Sequence, residues 1–101
     1  MGFKRVLIAN RGEIALRILR TLRDMGIEVA IIHGREDRLS IPVRLSDIAY
    51  PIYSSNPLDS YLNIEAVVKA AKELECDAVH PGYGFLSENA DFAEQCEACN
   101  I

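Results

Sequence analysis

The sequence predicts an α/β protein in which short buried strands alternate with amphipathic helices. Residues 6–9 form a continuous apolar run, which is typical of a parallel strand buried on both faces. Further short apolar runs occur later in the chain, and segments with apolar residues at helical spacing lie between them. This β-α-β-α order favours a parallel sheet with helices on both faces.

The first strand leads into a helix. Asn10 is placed to cap this helix, and Glu13 three residues later completes an arrangement like a capping box. The helix runs to about Met25, and Gly26 ends it, as glycine commonly does at a helix C-terminus. Residues 28–33 form the second strand.

The middle of the chain is less regular. Residues 34–46 are polar, with a short turn of helix expected near residues 43–45. Residues 47–53 have the pattern of a third strand, and Pro51 within them indicates a sheet edge, because proline cannot donate to the ladder. Residues 54–61 are expected to form a loop.

The last third of the chain repeats the alternation. Asn63 caps a helix, residues 78–80 form a fourth strand, and a final helix spans about residues 89–98. Asn100 is a plausible stop for this helix, and Ile101 resembles the first residue of another strand. The helix after Asn63 places five apolar residues on its core face: Ile64, Val67, Val68, Ala71 and Leu74.

The edge character of the third strand favours the strand order 3-2-1-4. With helices on both faces of this parallel sheet, the predicted fold is a three-layer Rossmann-like (flavodoxin-like) fold. In that order the chain reverses between strands one and four, and such folds bind ligands outside the carboxyl ends of the strands at this point. Two loops lie there, residues 10–13 and residues 80–89, and we expect them to face the same crevice. The first loop consists of Asn10, Arg11, Gly12 and Glu13.

Composition limits the possible functions. A chain of 101 residues with half of them apolar is expected to form one domain or part of one. Its net charge of −4 argues against a nucleic-acid partner, which needs clustered Lys and Arg. No apolar run approaches the roughly 20 residues of a membrane span, and no signal-peptide pattern is recognised, so a cytoplasmic protein is expected.

The three cysteines fit a reducing compartment better than a disulfide framework. Cys96 and Cys99 form a C-x-x-C pair, but a zinc site would need two more ligands at suitable spacing. Phe92 shares their helical stripe, so these cysteines are expected to be structural thiols on a core face.

Residues 80–89, hereafter the glycine loop, form the most unusual segment. Gly82 and Gly84 permit positive φ or a close approach, and Tyr83 between them can be presented outward. The alternative is a stiff turn with Phe85 and Leu86 tucked beneath it. Local sequence leaves these two interpretations open.

Other polar residues have ordinary explanations. Arg11 could contact a phosphate or a carboxylate, although solvation is favoured, and His80 is more consistent with a hydrogen-bonded structural residue than with a general base. Glu13 is interpreted as a cap, and Glu88 as an aid to the start of the last helix. No dinucleotide-binding G-x-G-x-x-G motif and no P-loop is present.

Three charged residues lie away from the core face of the first helix: Arg17, Arg20 and Asp24. They fit a solvated face with a weak Arg20–Asp24 pair four residues apart, and this interpretation is favoured by the pattern alone. The alternative is a polar subunit interface.

Two long motifs carry a family resemblance. The sequence VLIANRGEIA at residues 6–15 and HPGYGFLSENADFA at residues 80–93 resemble the N-terminal domain of biotin carboxylases. SYLN at residues 60–63 and VRLSD at residues 43–47 fit the same family, so the resemblance covers nearly the whole chain. The family includes the biotin carboxylase subunits or domains of acetyl-CoA, propionyl-CoA, pyruvate and 2-oxoglutarate carboxylases.

The resemblance implies an ATP-grasp enzyme that uses MgATP and bicarbonate to carboxylate N1 of biotin on a carrier protein. Residues 1–101 would be its leading Rossmann-like domain. The ATP-grasp and C-terminal domains would follow Ile101, and the fragment alone is expected to be inactive. Its expected partners are those remaining domains, the biotin carboxyl carrier protein or domain, and a second copy of the enzyme.

The resemblance also implies roles for particular residues. Tyr83, Gly84 and Phe85 would lie at the edge of the biotin site, and the charged residues of the first helix would lie in the homodimer interface. These are Arg17, Arg20 and Asp24. No catalytic residue and no metal ligand is expected within the chain, and no bound biotin, ATP or Mg²⁺. Residues 34–42 depart from the family, which leaves their conformation open.

Two other functions remain as alternatives. The chain could be a stand-alone nucleotide- or anion-binding module, or a purely structural dimerisation domain. The acyl acceptor of the whole enzyme is not encoded in this domain, because acceptor choice lies in a separate carboxyltransferase.

Overall fold

The computed structural model describes residues 2–101, which contain four strands and four α-helices. In chain order the elements are β1 (Arg5–Ile8), α1 (Gly12–Asp24), β2 (Glu28–His33), α2 (Ile41–Leu45), β3 (Ile48–Pro51), α3 (Ile64–Glu73), β4 (Ala78–His80) and α4 (Ala90–Ala98). Two short 3₁₀ helices, Arg35–Asp37 and Pro57–Tyr61, lie in the connections after β2 and β3.

The four strands form a parallel sheet in the order β3-β2-β1-β4, which confirms the predicted topology. Within it Val6 of β1 lies between Val29 of β2 and Ala78 of β4. β3 is at one edge, as Pro51 indicated, because a proline N cannot donate to a neighbouring strand.

Side chains that alternate along the central strands build two apolar layers. Val6 and Ile8 pack on one face against buried residues of α1, together with Val43 of α2. Leu7 and Ala9 pack on the other face against α3 and α4. This alternation follows from the two-residue period of a strand, and it produces the predicted three layers.

The predicted capping box of the first helix is wrong. Arg11, rather than Asn10, is the N-cap residue of α1, and no side chain caps that end. Glu13 is exposed and makes no capping bond. Asn10 is instead buried, because its amide pairs with a loop more than 70 residues away. The predicted C-terminus is confirmed, since Gly26 follows α1 with φ +73°.

One helix-cap prediction is confirmed, and the prediction of a loop at residues 54–61 is corrected. The predicted cap at Asn63 is confirmed, since its Oδ1 accepts the N–H of Ala66 at 3.0 Å. Asn89, which was predicted only as the approximate start of the last helix, caps α4 through the N–H of Phe92 at 2.9 Å. Residues 54–61, expected to form a loop, contain the second 3₁₀ helix, which Asn56 caps through the N–H of Leu58.

Residues 34–46 are more ordered than their polarity suggests. They contain the first 3₁₀ helix and α2, and α2 includes the turn predicted at residues 43–45. Ile101 lies outside any strand of the described residues, and its N–H donates to the Cys96 carbonyl at 2.9 Å.

Cys96 and Cys99 pack on a core face, as predicted. Cys76 and Cys96 are buried free thiols, and Cys99 is half-buried. Burial raises the pKa of Cys76 to about 11, and burial also raises the pKa of Cys96. These two thiols are therefore protonated at neutral pH and poor nucleophiles.

Asp77 joins β1 to β4 at the amino end of the sheet. Its Oδ2 accepts the backbone N–H groups of Lys4 and Arg5 at 2.7 and 2.9 Å. These bonds hold the pKa of Asp77 below its usual range, because they favour the ionised carboxylate.

Among residues 2–101, no helix has both the length and the apolar character that crossing a membrane requires.

Candidate functional site

The two loops predicted to meet at the carboxyl end of the sheet are in direct contact. Asn10 is 1% exposed, and its Nδ2 donates to the carbonyl oxygens of Pro81 and Tyr83 at 2.7 and 2.9 Å. Its Oδ1 accepts the N–H of Arg11 at 2.7 Å. Asn10 thus uses both ends of its amide to join residues 10–13 to the glycine loop.

Gly82 allows the loops to come this close. It has φ +69°, and an added Cβ would lie 2.7 Å from Cγ2 of Ile14 and 2.8 Å from Nδ2 of Asn10. Both distances are shorter than any ordinary van der Waals contact. At Asn10 and Gly82 the loops therefore pack together, rather than lining an open crevice.

The glycine loop is both a stiff turn and a loop that presents a side chain outward, the two interpretations that its sequence left open. Leu86 is buried and Phe85 is half-buried, as expected of a stiff turn. Tyr83 is 73% exposed, so the loop also presents a side chain outward. His80 is exposed, and its Nδ1 accepts the N–H of Gly82 at 3.1 Å, which confirms the predicted hydrogen-bonded histidine.

Phe85 has an uncommon backbone conformation. Its φ of +44° lies in the left-handed region, where bulky residues are rare. Its ring packs on the ring of Tyr61, with the two centroids 5.2 Å apart and the planes inclined by 34°. Such a conformation persists only where the surrounding structure holds it.

Arg11 is paired with a carboxylate, which corrects the favoured expectation that it is solvated. Its Nε donates to Oδ2 of Asp37 at 2.7 Å and its Nη2 donates to Oδ1 at 2.9 Å. The Arg11 guanidinium holds the pKa of Asp37 below its usual range, and Asp37 raises the pKa of Arg11. Two parallel bonds of this kind fix the orientation of both side chains.

Tyr61 extends this pair into a buried network. It is 1% exposed, and its hydroxyl donates to Oδ2 of Asp37 at 2.6 Å while accepting the N–H of Gly34 at 3.1 Å. Burial raises the pKa of Tyr61, and the Asp37 carboxylate raises it further, so the hydroxyl remains protonated. We define the Asp37 cluster as Arg11, Gly34, Asp37 and Tyr61.

Sequence reasoning missed Asp37 and Tyr61 as members of the site. Asp37 lies in a segment whose polarity is typical of solvent-exposed loops, and Tyr61 lies in the predicted loop 54–61. The SYLN motif at residues 60–63 was the available signal. It was used only for the family resemblance.

Arg17, Arg20 and Asp24 are exposed on α1. The predicted ion pair between Arg20 and Asp24 is wrong, because the described residues contain no such bridge. Arg17 borders a cavity of about 530 Å³, which lies between α1 and β4 and has mostly apolar walls. Gly12, with φ +62°, is exposed at the start of α1.

Neither a cluster of metal ligands nor a P-loop motif occurs within residues 2–101. Within residues 2–101, no group of three or more His, Cys, Asp or Glu side chains is arranged to hold a metal ion. The sequence has no glycine-rich phosphate loop of the P-loop type. The described residues therefore offer no cluster of side chains that would hold the Mg²⁺ of a nucleotide.

Comparison with known proteins gives consistent results. The family model described as biotin carboxylase, N-terminal domain, matches residues 2–101. Biotin carboxylase 1 of Bacillus subtilis is 50% identical over 98 residues, which are 97% of this chain and 22% of that protein. The chain thus spans about a fifth of the length of the curated relative.

Solved structures agree with the sequence comparison. The biotin carboxylase domain dimer of Hydrogenobacter thermophilus 2-oxoglutarate carboxylase, in complex with MgADP, ADP and bicarbonate, has a TM-score of 0.95 and 46% identity, over 100% of this chain and 22% of that one. A complete multifunctional pyruvate carboxylase from Rhizobium etli has a TM-score of 0.95 and 36% identity, over 100% of this chain and 10% of that one.

Proposed function

Because the chain belongs to the family of biotin carboxylase N-terminal domains, we propose that it is the first domain of an ATP-dependent carboxylase acting on biotin. The supporting observation is the match over residues 2–101, together with a fold that superposes at a TM-score of 0.95. The relative in that superposition was solved with MgADP and bicarbonate, which are consistent with carboxylation driven by ATP.

In this proposal the glycine loop forms one edge of the biotin site. Tyr83, Gly84 and Phe85 follow β4 at the carboxyl end of the sheet, where folds of this class bind ligands. The exposed ring of Tyr83 would contact biotin, while Gly84 and the tilted ring of Phe85 set the local shape of the loop. The loop supplies contact and orientation, and no proton transfer is assigned to it.

The chemistry itself belongs to other domains. Bound MgATP would supply the driving force for activating bicarbonate, and its ligands would lie outside residues 1–101. Biotin would reach the site on a carrier protein or domain, and we assign the enzyme to the cytoplasm. The role of this chain is therefore to complete a site assembled from several domains.

The exposed charges of α1 are the candidate dimer surface. Arg17, Arg20 and Asp24 have no ion-pair partner within the described residues, so they are available to a second copy. A relative with the same fold was solved as a domain dimer. Exposed Arg residues are enriched in protein interfaces, where they pair with carboxylates of the partner.

A domain exchange tests the proposed function. Residues 1–101 replace the matching segment of Bacillus subtilis biotin carboxylase 1, which is 50% identical to them. We expect the chimera to fix bicarbonate on biotin in the presence of ATP, at a rate of the same order as the parent enzyme. The 101-residue chain alone should release phosphate from ATP only at background. A folded chimera without biotin-dependent activity would contradict the proposal.

A charge reversal tests the dimer surface in the same chimera. We expect Arg20→Glu to shift the sedimentation mass from dimer towards monomer, because the substitution removes an interfacial cation and introduces a like-charge contact. Glu94→Arg is the control, since Glu94 is an exposed residue of α4 outside this surface. An Arg20→Glu chimera that sediments as the unaltered dimer would exclude this helix as the interface.

A further inference from the structure

We propose that Asp37 is a positioning residue that holds the glycine loop from two sides. The inference rests on the proposed function, because the glycine loop is the candidate biotin contact. Asp37 lies in the 3₁₀ turn after β2 and is 8% exposed. Its carboxylate accepts three side-chain hydrogen bonds, and the two side chains that donate them each lead to the glycine loop.

The first connection runs through Arg11. The two-point pairing with Asp37 fixes the guanidinium, and with it the backbone at the start of α1. The N–H of Arg11 donates to Oδ1 of Asn10, whose Nδ2 donates to the carbonyls of Pro81 and Tyr83. Asp37 thereby orients the amide that anchors the loop on either side of Gly82.

The second connection runs through Tyr61. Its hydroxyl is held between the Asp37 carboxylate and the N–H of Gly34, so the ring has a fixed direction. That ring packs on Phe85, whose left-handed backbone needs support from its surroundings. Asp37 therefore also supports the part of the loop that follows Tyr83.

A carboxylate is the side chain that this geometry requires. Both oxygens of Asp37 accept from Arg11, and one of them also accepts from Tyr61. An asparagine of the same shape would retain one accepting oxygen and would direct an NH₂ group at a cation or at a hydroxyl donor. Asp37→Asn therefore removes the charge that pairs with Arg11 and at least one of the three hydrogen bonds, with little change in volume.

Hydrogen exchange of the 101-residue chain tests the positioning role without reference to activity. We expect Asp37→Asn to raise the exchange of the hydrogen-bonded amides of Gly82 and Ser87 by about tenfold, while amides of β1 and β2 stay protected. Asp77→Asn is the matched control, because the Asp77 carboxylate also accepts two hydrogen bonds but lies at the opposite end of the sheet. Unchanged loop exchange in Asp37→Asn would overturn the inference.

Kinetics of the chimera give a second readout. We expect Asp37→Asn to raise KM for biotin about tenfold with little change in kcat or in KM for ATP, because the variant loosens a contact loop and leaves the nucleotide site intact. Equal effects on biotin and ATP would count against positioning of this loop. If the unaltered chimera is inactive, the proposed function fails, and loop exchange alone decides the role of Asp37.

A milder variant covers the case in which Asp37→Asn unfolds and its strand amides also exchange rapidly. Tyr61→Phe removes the hydroxyl and keeps the ring against Phe85. Faster exchange of the Gly82 and Ser87 amides, with protected strands, would support the inference. Loop exchange equal to that of the unaltered chain would overturn it.

Discussion

Gly82→Ala is expected to destabilise the fold by about 2 to 5 kcal/mol, a large fraction of the stability of a small domain. An L-residue at φ +69° costs about 1 to 2 kcal/mol. The new methyl would also meet Ile14 at 2.7 Å and Asn10 at 2.8 Å, and forced overpacking costs about 1 to 3 kcal/mol more. Urea denaturation at neutral pH measures the difference.

Gly84→Ala is the matched control for this prediction. Gly84 lies in the same loop with φ +74°, but an added Cβ would have no atom within 4 Å. Its substitution should cost only the backbone term, about 1 to 2 kcal/mol. Equal losses at the two glycines would show that the close approach to Asn10 and Ile14 contributes nothing.

Asn10→Asp should destabilise the fold by about 3 to 5 kcal/mol at neutral pH, although it barely changes the shape of the side chain. The amide nitrogen of Asn10 donates to two carbonyl oxygens at 2.7 and 2.9 Å, and the residue is fully buried. The substitution would replace these donors by a carboxylate oxygen. A buried negative charge would then face two acceptors with no compensating proton.

Asn63→Asp is the control for the same chemical change. Oδ1 of Asn63 accepts the N–H of Ala66 at 3.0 Å in an exposed helix cap, where a carboxylate serves as well as an amide. Its effect should stay within about 0.5 kcal/mol. Comparable stability of the two variants would contradict the donor role of Asn10.

The loss at Asn10→Asp should also depend on pH. Burial and the two carbonyls disfavour the charged form, so the pKa of the introduced carboxyl would be higher in the folded state than in the unfolded state. The penalty is therefore complete above the folded-state pKa, and it shrinks as the pH falls through that value towards the unfolded one. Denaturation curves from neutral to mildly acidic pH would show the difference between variant and unaltered chain narrowing.

Sheet topology was predictable because its signals are local. Apolar periodicity identified the four strands, Pro51 marked one edge, and the rules for parallel crossovers left the order β3-β2-β1-β4. The meeting of residues 10–13 with the glycine loop followed from that order. It needed no knowledge of individual contacts, since loops after adjacent parallel strands share one end of the sheet.

The contacts themselves were not predictable from local sequence. An asparagine before a helix is ordinarily a cap, but in Asn10 two carbonyls from the glycine loop compete successfully for its amide. Arg11 and Asp37 were each consistent with solvated charges, and their pairing depends on how two loops 26 residues apart lie in space. Arg20 and Asp24 show the converse, because a spacing of four permits an ion pair without requiring one.

Tyr83 shows that the residue a loop presents and the atoms that hold the loop can be separate. The carbonyl oxygen of Tyr83 accepts a hydrogen bond from Nδ2 of Asn10 that helps to hold the loop, whereas the side chain of Tyr83 extends into solvent. Every L-residue carries the same backbone carbonyl, so substitution of the Tyr83 side chain keeps the hydrogen bond from Asn10. Such a substitution should alter the free energy of unfolding by less than about 0.5 kcal/mol. The side chain at position 83 can therefore be exchanged with little loss of stability, so the proposed biotin contact can be tested separately from the stability of the fold.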